Sequence, residues 1–256
     1  MDMLNPHCGV DRDSRGVVRL TICNAGKLNI LGSAAILDVQ TGLQSLASDP
    51  GIRAVVLAGE SERSMIGGAD IREMASLDQM SAEVFISRLA GLCEAVRNFP
   101  APVIARMPGW CLGGGLEVAA ACDIRIAAHD AKFGMPEVRV GIPSVIHAAL
   151  LPRLIGWGRT RWLLMTAETI DAPTALAWGL VDWVAAEGAL DAAVERTIES
   201  LLACGPDALR LQKALLRQWE ELPLKESIAV SIGAFGRAFL TDEPRRLMQH
   251  FIDRKR

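Results

Sequence analysis

The first clear apolar pattern is Val17-Val18-Arg19-Leu20-Thr21-Ile22, rich in β-branched residues and partly alternating, which predicts a strand. Residues 24–31 read as a loop, and Ser33 is placed to cap a helix running to Leu46. Asp49-Pro50-Gly51 marks a turn, and the apolar run Arg53 to Ala58, ending at Gly59, has the length of a buried strand. A helical period follows from about Ser81 to Asn98, with Phe85, Leu89, Leu92, Cys93 and Val96 on one face, and Phe99-Pro100 ends it. Ala101 to Met107 and Asp123 to Ala128 predict two further strands.

Beyond these, Lys132 to Val138 is irregular and places Glu137 directly after a proline. From Ser144 onward the pattern is mainly helical, broken at Gly156-Trp157-Gly158, with one short strand expected at Leu180 to Val184. Residues 190–256 read as amphipathic helices punctuated by Gly205-Pro206, Pro223 and Pro244. Strands early and helices late predict an α/β wound core over 1–190 carrying a helical region over 191–256.

Half of the 256 residues are apolar, enough for a sizeable core, and the net charge of −3 argues against a large nucleic-acid footprint. The six cysteines, at 8, 23, 93, 111, 122 and 204, form no CxxC pair, so free thiols in a reducing cytoplasm are expected rather than a disulfide or metal framework. No apolar run is long enough to span a bilayer and the first residues lack a signal-peptide pattern, which predicts a cytoplasmic protein without a membrane partner. GxGxxG, Walker-type, HExxH and GxSxG patterns do not occur.

Candidate chemistry gathers at two glycine corners. In Pro108 to Glu117 a strand runs through Gly113-Gly114-Gly115 into a helix, and the first-turn amides of a helix have no internal partners. Such a corner presents donors and a positive dipole end to developing negative charge, although three glycines can equally serve close strand–helix packing. A corner earlier along the chain, Ser64 to Met74 with Gly67 and Gly68, also feeds a helical patch, so two amides are expected to converge on one oxygen. Glu117 lies within a turn of the triple-glycine corner in an apolar surrounding, where a carboxylate is costly without a task, or without the helix dipole to favour it.

With these segments in hand, the chain resembles the enoyl-CoA hydratase/isomerase (crotonase) superfamily. The matching stretches are Gly68 to Met74, Gly109 to Glu117, Cys122-Asp123, Phe133 to Glu137, Gly141-Ile142-Pro143 and Ala175 to Val181. The resemblance implies a crotonase-like ββα superhelix with a C-terminal helical trimerisation region, assembled as a homotrimer or a dimer of trimers. It implies an enoyl-CoA hydratase that adds water syn to a 2-trans-enoyl-CoA, needing no cofactor because the CoA thioester is the substrate. A Δ3,Δ2-enoyl-CoA isomerase and a non-catalytic acyl-CoA binder are the alternatives.

By motif, the resemblance assigns the thioester oxygen to the amides of Ala69 and Gly114. It assigns the water to Glu117 as base and Glu137 as acid, twenty residues apart. It further implies substrate contacts at Lys27, Leu28, Gly68, Asp70, Ile71, Met74, Trp110, Gly113, Met135 and Ser144, and at Phe251 and Arg254 near the end of the chain. The departure is Ser144-Val145-Ile146-His147-Ala148-Ala149-Leu150, where hydratases carry a glycine-rich helix start. Bulkier side chains there are expected to reshape the acyl end of the pocket, and His147 reads as a packing or surface residue.

Overall fold

A computed structural model describes residues 1–253. Its frame is a seven-stranded sheet that takes its strands in chain order: Asp2–Asn5, Cys8–Arg12, Val17–Ile22, Ala54–Gly59, Val103–Met107, Ile124–Ala128 and Trp183–Ala185. The first three pair antiparallel and the rest parallel. Ala54–Gly59 and Val103–Met107 are buried at every residue, as strands covered on both faces must be, and they are apolar throughout but for Arg106, whose guanidinium pairs with Asp191 and Glu62.

Three parallel strands each continue into a short strand of a second sheet. Ala54–Gly59 leads to Ser64–Ile66, Val103–Met107 to Trp110–Leu112, and Ile124–Ala128 to Lys132–Gly134. These short strands stand side by side, parallel, with Thr169–Asp171 closing the edge antiparallel. After each one the chain turns into helical structure: Ile71–Met74 and Gln79–Arg97, then Gly114–Ala121, then the 3₁₀ turn Glu137–Val140. The repeated strand–strand–helix unit stacks its turning points on one another, and both glycine corners and Glu137 lie at those points.

One face of the large sheet packs with the helices Ser33–Ala47 and Gln79–Arg97 around Leu20, Leu57, Leu43 and Leu89. The other face, through Val17, Val56, Ile104 and Ile126, is covered by Leu190, Val194 and Ile198 of the helix Leu190–Leu202.

Several boundaries differ from the pattern for local reasons. Gly32 rather than Ser33 is the cap of Ser33–Ala47, because the Ser33 amide and hydroxyl are both engaged by Glu73, the amide at 2.9 Å. The helix expected from Ser81 begins at Gln79, since Asp78 caps it by accepting from the Ser81 amide at 2.8 Å. The late strand is Trp183–Ala185, displaced along the chain because the amides of Leu180 and Val181 both close the preceding helix onto Ala175 O. Gly156, at φ +78°, kinks Leu151–Thr166 where the break was expected. The N-terminal hairpin has no counterpart in the apolar pattern.

Candidate active site

Glu117 is the fourth residue of the helix Gly114–Ala121 and is only 3% exposed. The helix enters through Gly113 at φ +51° and ψ −126°, a backbone state open to glycine. A Cβ on Gly113 would also stand 2.5 Å from Glu137 Oε1, so the missing side chain leaves room for the second carboxylate. The Gly113 amide donates to Gly134 O at 2.9 Å and pins the corner to the strand that leads to Glu137. Gly115 serves packing instead: a Cβ there would lie 2.3 Å from Ile66 O, at the end of the strand entering the other corner. Within the triple glycine, Gly113 thus leaves room for a carboxylate and Gly115 serves the close strand–helix packing.

The first corner is held from behind. The Gly67 amide donates to Leu28 O at 2.7 Å and the Asp70 amide to Leu31 O at 3.0 Å, while buried Asn29 donates to Ser64 O at 2.7 Å. Gly68, at φ +126°, turns the chain between these anchors. Asp70 caps Ile71–Met74, accepting from the Arg72 amide at 2.8 Å.

A cavity of about 730 Å³ opens between the two corners. Its lining includes Gly68, Ala69, Ile71 and Met74 from the first corner, Gly113, Gly114 and Glu117 from the second, and Glu137 from the 3₁₀ turn. Phe85, Ile86 and Leu89 complete an apolar wall, with Gln79, Glu83 and Arg139 as further polar groups. Phe85 and Leu89 belong to the apolar face that the helical period marked out. The three polar residues had no distinguishing signal, because nothing local separates them from solvated helix or loop residues.

The remaining expected contact residues among the described ones are outside that lining. Trp110 is 42% exposed and sits three residues before Gly113, about 10 Å of extended chain away from the corner. Met135 is fully buried in the core. Lys27 and Leu28 are exposed on the loop that backs the first corner, Asp70 is spent on its helix cap, and Phe251 stands exposed on the last helix. Ser144 acts on a catalytic candidate rather than on the cavity wall, its hydroxyl donating to Glu137 Oε2 at 2.8 Å. Arg254 lies outside the described residues.

Burial pushes Glu117 up to about 8, reinforced by the negative charge of Glu137 and opposed by the Ala148 amide, which donates to Glu117 Oε1 at 3.0 Å. Burial also raises Glu137, against the Ser144 hydrogen bond. Two carboxyl groups held in one apolar cavity, both shifted toward neutral pH, form a site that can give one proton and take another. His147 is buried, with Nε2 2.8 Å from Glu94 Oε1, and burial lowers its affinity for a second proton. Among the described residues no cluster of three or more His, Cys, Asp or Glu side chains is arranged to hold a metal ion. No helix among them is long and apolar enough to cross a membrane.

The profile of the family described as Enoyl-CoA hydratase/isomerase matches residues 12–256. The chain belongs to that family, and its architecture is the crotonase fold. Among curated relatives, it is 33% identical over 230 residues to a crotonyl-CoA hydratase of Syntrophomonas wolfei, covering 90% of this chain and 88% of that protein. It is 32% identical to a short-chain-enoyl-CoA hydratase of Clostridium acetobutylicum, covering 95% and 94%. Among solved structures, an enoyl-CoA hydratase from Mycobacterium smegmatis superposes with a TM-score of 0.93 at 29% identity, covering 98% of this chain and 97% of that one.

Proposed function

We propose that this protein is a hydro-lyase that adds water across the 2,3 double bond of a 2-trans-enoyl-CoA to give a 3-hydroxyacyl-CoA. The observation that carries the reading is the meeting of Glu117 and Glu137 with both glycine corners in one apolar cavity. The hydratases among its relatives support the same reaction class.

The thioester oxygen sits between the amides of Ala69 and Gly114. Gly114 is the first residue of its helix, so its amide has no intrahelical partner and lies at the positive end of the helix dipole. Addition to C3 moves charge onto that oxygen, and a preorganised donor aimed at it contributes on the order of 3 kcal/mol. The water lies between the glutamates. Glu117 takes its proton as the oxygen bonds to C3, and Glu137 delivers a proton to C2 on the same face.

A base raised to about 8 is well matched to work near neutral pH. Deeper burial favours the resting proton on Glu117, so in this division of labour the proton passes to Glu137 as water enters. The pair titrates as a unit, and the roles are properties of the loaded site. No cofactor is called for, because the CoA thioester itself activates C3 and C2.

The helix Leu224–Ala238 leaves Leu224, Ile228, Ile232 and Phe235 exposed as a stripe at helical spacing. We read this stripe as the surface that joins copies of the chain into a homotrimer or a dimer of trimers. The free thiols, five buried and Cys204 exposed, support a reducing, cytoplasmic setting.

The reaction is tested by adding the protein to crotonyl-CoA and following the absorbance of the conjugated thioester. Loss of that absorbance with formation of the 3-hydroxy product is expected. Absence of turnover with short, medium and branched enoyl-CoAs contradicts the assignment.

A further inference from the structure

Behind Glu117 lies a second layer that the hydration reaction does not itself use. The turn Ile146–Leu150 carries Ile146 at φ +38°, a left-handed backbone state that a β-branched residue rarely adopts. Such a conformation persists only where its surroundings enforce it. Two residues on, the Ala148 amide is shared between Val145 O at 2.9 Å and Glu117 Oε1 at 3.0 Å. Between them, His147 reaches the helix Gln79–Arg97 and meets Glu94 Oε1 at 2.8 Å.

That contact is firmly anchored on the helix side. Glu94 also accepts from Arg97 at 3.2 Å and from Asn98 at 2.9 Å. Burial works to raise Glu94, yet these partners outweigh it and hold it below the usual carboxylate range, so it is an ionised acceptor. His147 must then donate from Nε2. Its Nδ1 is buried with no hydrogen-bond partner among the described residues, so a second proton there has nothing to bind and the ring stays neutral. The pair is a fixed hydrogen bond from a neutral imidazole to a carboxylate, spanning the strained turn and the helix that walls the cavity.

We propose that the His147–Glu94 pair is a positioning device for Glu117, holding the Ile146–Leu150 turn so that the Ala148 amide is aimed at Glu117 Oε1. Neither side chain touches substrate. The pair acts through one backbone N–H, which favours the ionised form of Glu117 and fixes the orientation of its other oxygen.

The charged and titratable groups around this device are few. Glu117 is faced by Glu137 and by the Cys93 thiol, which burial, and then the Glu117 charge, push far up. His147 is faced by Glu94, Arg97 and Arg217. When the pair is broken the turn relaxes, Glu117 loses its donor while remaining buried beside Glu137, and it holds its proton to higher pH.

The proposal rests on Glu117 being a proton-transfer group, but its test needs no turnover. The Glu117 carboxyl stretch is isolated by difference infrared spectroscopy against E117Q and followed through a pH titration. In H147L and E94A the midpoint is expected to rise by about one pH unit, the worth of a hydrogen bond to a charged group. H147Q keeps a donor near the Nε2 position and E94Q keeps the acceptor, so both are expected to stay at the wild-type midpoint. In assays of crotonyl-CoA hydration, the limb of the pH–rate profile belonging to Glu117 moves with the spectroscopic midpoint.

Glu94 keeps 45% of its side chain exposed, so E94A carries the test if H147L does not fold. An unchanged midpoint in E94A overturns the proposal, because the turn then holds itself. A shift in H147Q as large as in H147L also overturns it, because the imidazole is then acting by its own electrostatics rather than by holding the turn. A protein with no hydratase activity but the expected infrared shifts overturns the functional reading and leaves this one standing.

Discussion

Gly115 and Ile66 meet so closely that a Cβ on the glycine would lie 2.3 Å from the isoleucine carbonyl oxygen. The contact locks the two glycine corners together, although Gly115 itself is outside the cavity lining. G115A must push the helix Gly114–Ala121 off the Ile66 strand end, carrying the Gly114 amide and Glu117 with it. A displacement near 1 Å at a reacting centre costs about 10²-fold, so kcat for crotonyl-CoA hydration is expected to fall by that order. Parallel thermal unfolding separates this loss from simple destabilisation.

The division between the glutamates is open to an exchange experiment. E117Q and E137Q are each expected to lower hydration by about 10²- to 10⁴-fold, with the double variant little worse than either alone. With a saturated acyl-CoA in heavy water, the group serving C2 alone exchanges the α-proton. E117Q is expected to retain that exchange and E137Q to lose it, read by NMR of the recovered thioester.

Glu117 also makes folding stability depend on pH. Its carboxyl is raised from an ordinary 4.5 to about 8 in the folded chain, so between those values the unfolded chain has already lost the proton that the folded chain keeps. Unfolding therefore releases a proton, and the stabilisation present below the unfolded value is lost as pH rises through the folded one. Wild type is expected to weaken relative to E117Q across this window, as measured by denaturant midpoints at a series of pH values. Parallel curves across the window contradict the shift.

Ser144 tunes the other acid. Its hydroxyl donates to Glu137 at 2.8 Å and works against the burial that raises that carboxyl. S144A is expected to move the Glu137 limb of the pH–rate profile up by about one unit, the worth of a hydrogen bond to a charged group. The KM for crotonyl-CoA should change little, because Ser144 does not line the cavity.

Much of this was legible in the sequence because the relevant features are local. A buried strand, a glycine turn and a helix start occupy adjacent residues, so both corners and Glu117 could be read from short windows. Ser144 stood out only as a departure from the expected glycine, and its role emerged from a bond to a residue seven positions away. His147 and Glu94 are 53 positions apart and no periodic pattern connects them, so their bond is a product of tertiary packing. Trp110 adjoins the triple-glycine corner in sequence yet is outside the cavity lining, with the strand Trp110–Leu112 between them. The exposed N-terminal strand Asp2–Asn5 shows no alternation, and its place comes from pairing with Cys8–Arg12.

The central claim is that Glu117 and Glu137 work from one side of a bound enoyl thioester. Hydration of crotonyl-CoA in heavy water, with the product's C2 configuration read by proton NMR, tests it most directly. A single deuterium at C2 is expected, on the same face as the new hydroxyl at C3. Deuterium on the opposite face, or equally on both, would contradict it.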